Sequence, residues 1–319
     1  MRAAIKTEFQ GKMFRAVGDR LFSNRDPRET DHEFLIACLG SFFGENWYQD
    51  ELKKEYNAQH VVARWHQDWL KYRKQLIEKT KGPGSALPTG STWSLLTLAY
   101  DVYCLKHTSN LHSDFVNRLK RYNDFQGAMY EVRTAAIFAR LDYKIIPIDL
   151  KSEKHCEYFV QRENKIAVEV KSRARPESLN MPGSLEDVSE IKTGIHRKLN
   201  EGLQHNVHRT PFILFIDINM PVTQTQLFVP PEYKKWWKDM FTAVNSLPVG
   251  TKEKPDRFNA LFVTNYSYHY QKDNLVDTGK FNAESGAVIP EYCEETLDHK
   301  IVFQINDAVS QYGHVPQYL

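Results

Sequence analysis

Cysteine is scarce. Cys38, Cys104, Cys156 and Cys293 are the only four in 319 residues, and none forms a CxxC pair. That spacing speaks against a zinc ribbon and against a disulfide scaffold, and leaves single reduced thiols. Net charge is also small, +2, which argues against a cationic coat for nucleic acid. The 42 Lys and Arg still leave room for a local basic cleft. No uninterrupted apolar run is long enough for a membrane helix, and the N-terminus MRAAIKTEFQGKMFRAVGDRLF has no apolar h-region or cleavage motif. A soluble, cytoplasmic protein with no membrane partner is therefore expected. GxGxxG, P-loop and GxSxG motifs are missing, so dinucleotide, NTP and α/β-hydrolase readings have no local support. The histidines of HRKLNEGLQHNVH are not at HExxH spacing.

What is present is ordinary globular composition, 41% hydrophobic and 26% charged, with a surplus of aromatics. Periodicity predicts helices across 31–80, with Asp31 as N-cap, then a Pro/Gly loop at KGPGSALPTGST (81–92). Helical spacing resumes over 93–107, 114–124 and 125–143. The period then changes, predicting strands at 144–149, 156–161 and 165–171, the last two joined by a hairpin-length RENK. A loop (173–184), an amphipathic helix (186–207) and a buried strand (211–219) follow. After them come a helix (231–244), a strand (257–270) and a strand-like KIVFQI (300–305). The order predicts an α/β protein of α+β type, a mixed sheet with helices on both faces.

The stretch KIAVEVKS poses the chemical question. Residues i and i+2 of a strand share a face, so Glu169 and Lys171 project together with Ala167, opposite Ile166, Val168 and Val170. A hairpin turn centred on Glu163 sets Glu157 directly across from Glu169, where like charges repel. A one-residue slip relieves the conflict by turning Glu157 to the other face. Otherwise a divalent cation must neutralise the pair, or one carboxyl must keep its proton. Mg²⁺ suits the first case, with one or two carboxylates, several waters and a substrate phosphate. Glu131, at the edge of the apolar stripe of the preceding helix, offers a third carboxylate.

Glu131 on a helix, Glu157 on a strand and Glu169-Val170-Lys171 on the next resemble the PD-(D/E)xK nuclease superfamily, over residues of about 125–270. The resemblance implies a restriction endonuclease-like core and a catalytic set of Glu131, Glu157, Glu169 and Lys171. It also implies Mg²⁺ (or Mn²⁺) held by Glu157, Glu169 and the Val170 carbonyl, with Lys171 placing the attacking water. Glu157 stands where the family usually has Asp, and Cys156 where it usually has Pro. Asp149 is the substitute candidate for the first strand acid.

The function so implied is a metal-dependent phosphodiester hydrolase of endonuclease type, acting on DNA, in restriction, phage defence, repair or a mobile element. The alternative is an inactive nuclease-fold module that binds nucleic acid or a protein partner. Arg173, Arg175, Lys192 and His196 are candidates for backbone phosphate contact. YKKWWKDMF (233–241) reads either as a stacking surface or as core. The expected organisation is a helical N-terminal region (1–120) for substrate or partner recognition, a nuclease-like domain (121–275) and a C-terminal extension (276–319). A homodimer, or a protein partner on the N-terminal region, follows by analogy.

Overall fold

The computed structural model describes residues 5–24, 29–80, 86–148, 156–174, 194–219, 242, 245–246, 250–266, 268–271, 273–276 and 284–319. The chain opens with an antiparallel meander, β1 (Ile5–Phe9), β2 (Lys12–Val17) and β3 (Arg20–Ser23). The expectation of a helical N-terminal region is corrected to this extent. The reason is turn chemistry. Two-residue connections at Gln10-Gly11 (φ 50° and 71°) and at Gly18-Asp19 (φ 60° at Gly18) use the left-handed backbone that tight hairpins require.

Helices α1 (Asp31–Phe43), α2 (Glu45–Leu52), α3 (Val61–Thr80) and α4 (Gly90–His107) follow. Asp31 is not the N-cap of α1. Thr30 is, accepting the Glu33 N–H (3.2 Å) while the Glu33 carboxylate accepts the Thr30 N–H (2.9 Å). Asp31 instead turns into a buried ion pair with Arg15 at 2.5 Å and also meets Lys6 at 3.1 Å. The loop expected to reach residue 92 ends earlier, because Thr89 caps α4 by accepting the Thr92 N–H. Helix α4 is buried on all sides from Gly90 to Leu105. That explains why its sequence shows no polar face.

Next come α5 (Ser113–Leu119), α6 (Phe125–Arg140), β4 (Lys144–Pro147), β5 (Tyr158–Gln161), β6 (Lys165–Ser172), α7 (Ile195–Leu203) and β7 (Phe212–Asp217). Strands β8 (Ala260–Asn265) and β9 (Glu284–Val288) and helix α8 (His299–Ser310) complete the described elements. The second sheet has the spatial order β4-β5-β6-β7-β8-β9. Strands β4, β5 and β6 run antiparallel, β6, β7 and β8 parallel, and β9 antiparallel to β8. The mixed sheet expected from the change of period is thus present. The two faces are covered differently. Ile166, Val168 and Val170 join the cluster built on α4 and α6, whereas Ala167, Leu214 and Ile216 pack with Ile195 and Leu199 of α7.

One expected strand is a helix. KIVFQI lies in α8, with Val302, Ile305 and Val309 buried at spacings of three and four and Asp298 capping the Lys300 N–H. Six residues cannot separate the two periods, and twelve do. Strand β9, ESGAV, carries too little apolar or β-branched content to announce itself. The expected helix at 231–244 falls outside the described residues except for Thr242. Of the helix expected over 186–207, residues 186–193 lie outside them too, and the described helical part is α7.

Candidate active site

Strand β6 outruns its hairpin partner. β5 pairs with β6 from Gln161↔Lys165 to Tyr158↔Val168, whereas the parallel pairing of β6 with β7 continues to Ser172↔Asp217. The paired register keeps the turn centred on Glu163, so the slipped alternative is not adopted, but it ends at Tyr158↔Val168. Glu157 is a bend residue just outside β5, not the paired strand residue expected opposite Glu169. The Glu157 N–H still bonds the Val168 carbonyl at 3.0 Å. Carbonyls alternate along a strand, so that of Val170 points to the same side as that of Val168, beyond the last described β5 pair.

The Glu169 side chain is wholly buried. Its Oε1 lies 2.5 Å from Lys171 Nζ and 3.0 Å from His205 Nδ1. Its Oε2 has no hydrogen-bond partner among the described residues. Burial pushes the Glu169 carboxyl up to about 8. Lys171 opposes that push, and Glu157 and Glu131 add to it. Glu131, on α6, is buried against Arg118 of α5. The guanidinium reaches both carboxylate oxygens, Nη1 to Oε2 at 2.5 Å and Nη2 to Oε1 at 2.6 Å. Burial first and the Glu157 charge second raise the Glu131 carboxyl to about 7, with Arg118 pulling down.

The segment after Lys171 is pinned. The Arg173 N–H bonds the Asp217 carbonyl at 3.1 Å, and the Arg173 carbonyl accepts from the Asn219 amide at 2.8 Å. That amide also donates to Gln126 Oε1 at 2.7 Å, tying the end of β7 to the start of α6. Ser172 Oγ stands 3.4 Å from the buried Asp217 carboxyl, which burial raises to about 6.

Glu131, Glu157 and Glu169 lie near enough for their charges to act on one another, with Lys171 paired to Glu169, and Val170 sits between the last two on β6. Arg173 follows directly. His196 is exposed on α7, with its Nε2 2.9 Å from Ser246 Oγ rather than on the carboxylates. Arg175, Lys192 and Asp149 lie outside the described residues.

Two residues of the cluster escaped the sequence reading. Arg118 sits thirteen positions before Glu131 on another helix. His205 follows α7 and meets Glu169 only because α7 packs across β6 and β7. Nothing in local spacing announces either contact.

Among the described residues, no group of three His, Cys, Asp or Glu side chains is ready to cage a metal ion. The donors do fit a hard cation of low protein denticity. They are the carboxylates of Glu157 and Glu169, the latter with an orphaned buried oxygen, and the Val170 carbonyl of β6. Comparison of the chain with protein-family models, with curated proteins and with solved structures finds no match.

Proposed function

We propose that the protein is a divalent-metal-dependent nuclease, with DNA as its first expected substrate, built on a restriction endonuclease-like core. The observation that carries the reading is the buried Glu169 with one orphaned oxygen, within electrostatic reach of Glu157 and Glu131 and 2.5 Å from Lys171. The sheet order and the helix, meander and crossover sequence agree with it. Glu157, Glu169 and the Val170 carbonyl would hold Mg²⁺ or Mn²⁺. When bound, that ion supplies charge to the phosphoryl oxygen and a water of lowered pKa.

The side chains divide the remaining work. Glu169 would hold the cation as its carboxylate, and Lys171, paired with Glu169 in the metal-free protein, would orient the attacking water or a phosphate oxygen. From there its ammonium stabilises the charge that builds at phosphorus. Arg173 stands at the strand end to meet backbone phosphate.

A second reading, a nuclease-fold module without chemistry, is favoured by the engagement of Glu131 with Arg118. One experiment decides between them. Purified protein is incubated with linear, circular, single-stranded and structured DNA and with RNA, in Mg²⁺, Mn²⁺ or EDTA, beside Glu169→Ala and Lys171→Ala. Metal-dependent cutting that falls by about a hundredfold or more in both variants supports the hydrolase. No cutting of any substrate, with no calorimetric Mn²⁺ binding, supports the inert module.

A further inference from the structure

We propose that this site takes one divalent cation, and that Arg118 fills the place a second cation would otherwise have beside Glu131. The inference rests on the nuclease reading and adds a positioning residue to it. Two-metal phosphoryl-transfer sites set their ions about 4 Å apart between shared carboxylates. Here the third carboxylate is already spoken for. Both oxygens of Glu131 accept from the Arg118 fork at 2.5 and 2.6 Å, and the carboxylate is 6% exposed. A planar guanidinium matches a carboxylate in this bidentate way and keeps its charge at every working pH.

Geometry decides the matter. A second dication beside Glu131 would have to expel a guanidinium that holds both carboxylate oxygens and is itself partly buried. Arg118 acts through Glu131. It keeps that carboxylate out of the metal shell and supplies a fixed positive charge that needs no refilling between turnovers.

The test is Mn²⁺ stoichiometry on the full chain, by calorimetry and by electron paramagnetic resonance of free Mn²⁺. One ion per wild-type chain is expected. Glu131→Gln, a neutral isostere, should keep the count at one with a Kd within about threefold, whereas Glu157→Gln should lose the ion. Arg118→Met should release Glu131 and bind a second ion, and Arg118→Lys should stay at one. Two ions on the wild type, or loss of the ion in Glu131→Gln, overturns the proposal while leaving the metal-site reading intact. A count of one in a folded Arg118→Met overturns the role given to Arg118. No Mn²⁺ bound by the wild type at millimolar concentration overturns the nuclease reading, and this inference with it. Circular dichroism melts check that each variant is folded. If Arg118→Met does not fold, Glu131→Gln and the wild-type count decide.

Discussion

Replacing Glu169 with Gln should make the metal-free protein more stable, increasingly so as pH rises. The carboxyl is fully buried and its folded-state value is raised to about 8, against an ordinary 4.5. Between those values the folded chain holds a proton that the unfolded chain has released. The favourable contribution is complete below the unfolded value and is lost as pH rises through the folded one. Each pH unit inside the window removes about 1.4 kcal/mol. From pH 5 to pH 8 the wild type should therefore lose about 3 to 4 kcal/mol that Glu169→Gln keeps. That is a large share of the roughly 5–15 kcal/mol of a typical domain.

Gln retains the shape and one acceptor for Lys171. Any constant cost of the substitution therefore shifts the difference between the two proteins without changing its pH slope. The assay is urea unfolding of both proteins in EDTA at each pH unit, followed by circular dichroism. Saturating Mn²⁺ should restore the wild type at pH 8 and leave the variant unmoved, because only the wild type exchanges its proton for the cation. A difference that is flat from pH 5 to pH 8 would refute the reasoning. It would mean that Glu169 is already ionised at low pH, with Lys171 and His205 outweighing burial.

Two further outcomes follow from other buried groups. Burial lowers His60 to about 4 from an ordinary 6.5, so the unfolded chain takes up a proton that the folded chain refuses. Stability should fall as pH drops from 6.5 through 4, and His60→Gln should spare about 2 to 3 kcal/mol of that loss at pH 4.5, read by the same urea titration; equal losses in both proteins would sink the argument. Gly202 of α7 faces β7, where an added Cβ would sit 2.6 Å from Cδ1 of the fully buried Leu214. Overpacking of about 1–3 kcal/mol outweighs the gain of about 1 kcal/mol in helix propensity, so Gly202→Ala should destabilise and should loosen the His205 contact with Glu169. A more stable variant would show that α7 moves off the sheet freely.

Most of the sheet was legible because its strands differ from their neighbours in period and in apolar content. The turn and register of the β5–β6 hairpin are legible, although β5 begins at Tyr158 and leaves Cys156 and Glu157 outside the strand expected over 156–161. Its turn length and the alternation of Ile166, Val168 and Val170 against Ala167 and Glu169 allow one register with both faces buried. The same logic failed where the window was short or the composition weak. KIVFQI satisfies both periods over six residues and becomes helical only with Asp298 before it and Val309 after it. Strand β9 is held by its pairing with β8, a tertiary fact with no local trace. The acids of the site were visible because they interrupt apolar patterns. Their partners Arg118 and His205 were not, because Arg118 stands on a helix surface and His205 in the turn after α7, where a charged residue interrupts nothing.

That asymmetry also says where chemistry can sit. An apolar side chain at position 169 would continue the packing of Ala167, Leu214 and Ile216, and it would avoid a carboxyl whose ionisation the surroundings resist. Among the described residues, the pairing of the same strand changes at this point. Up to Val168 it is paired on both sides. Beyond it, the described pairing is with β7 alone, so the backbone carbonyl of Val170 and the Lys171 ammonium come free of the β5 ladder together. Among the described residues, a buried acid therefore meets the end of the β5 pairing within two residues. The cost of a buried acid and the end of the described β5 pairing coincide at Glu169-Val170-Lys171. Shifting either the turn or the acid by one residue would separate them, leaving a Glu in the core with no edge to serve or an open edge with no charge to offer.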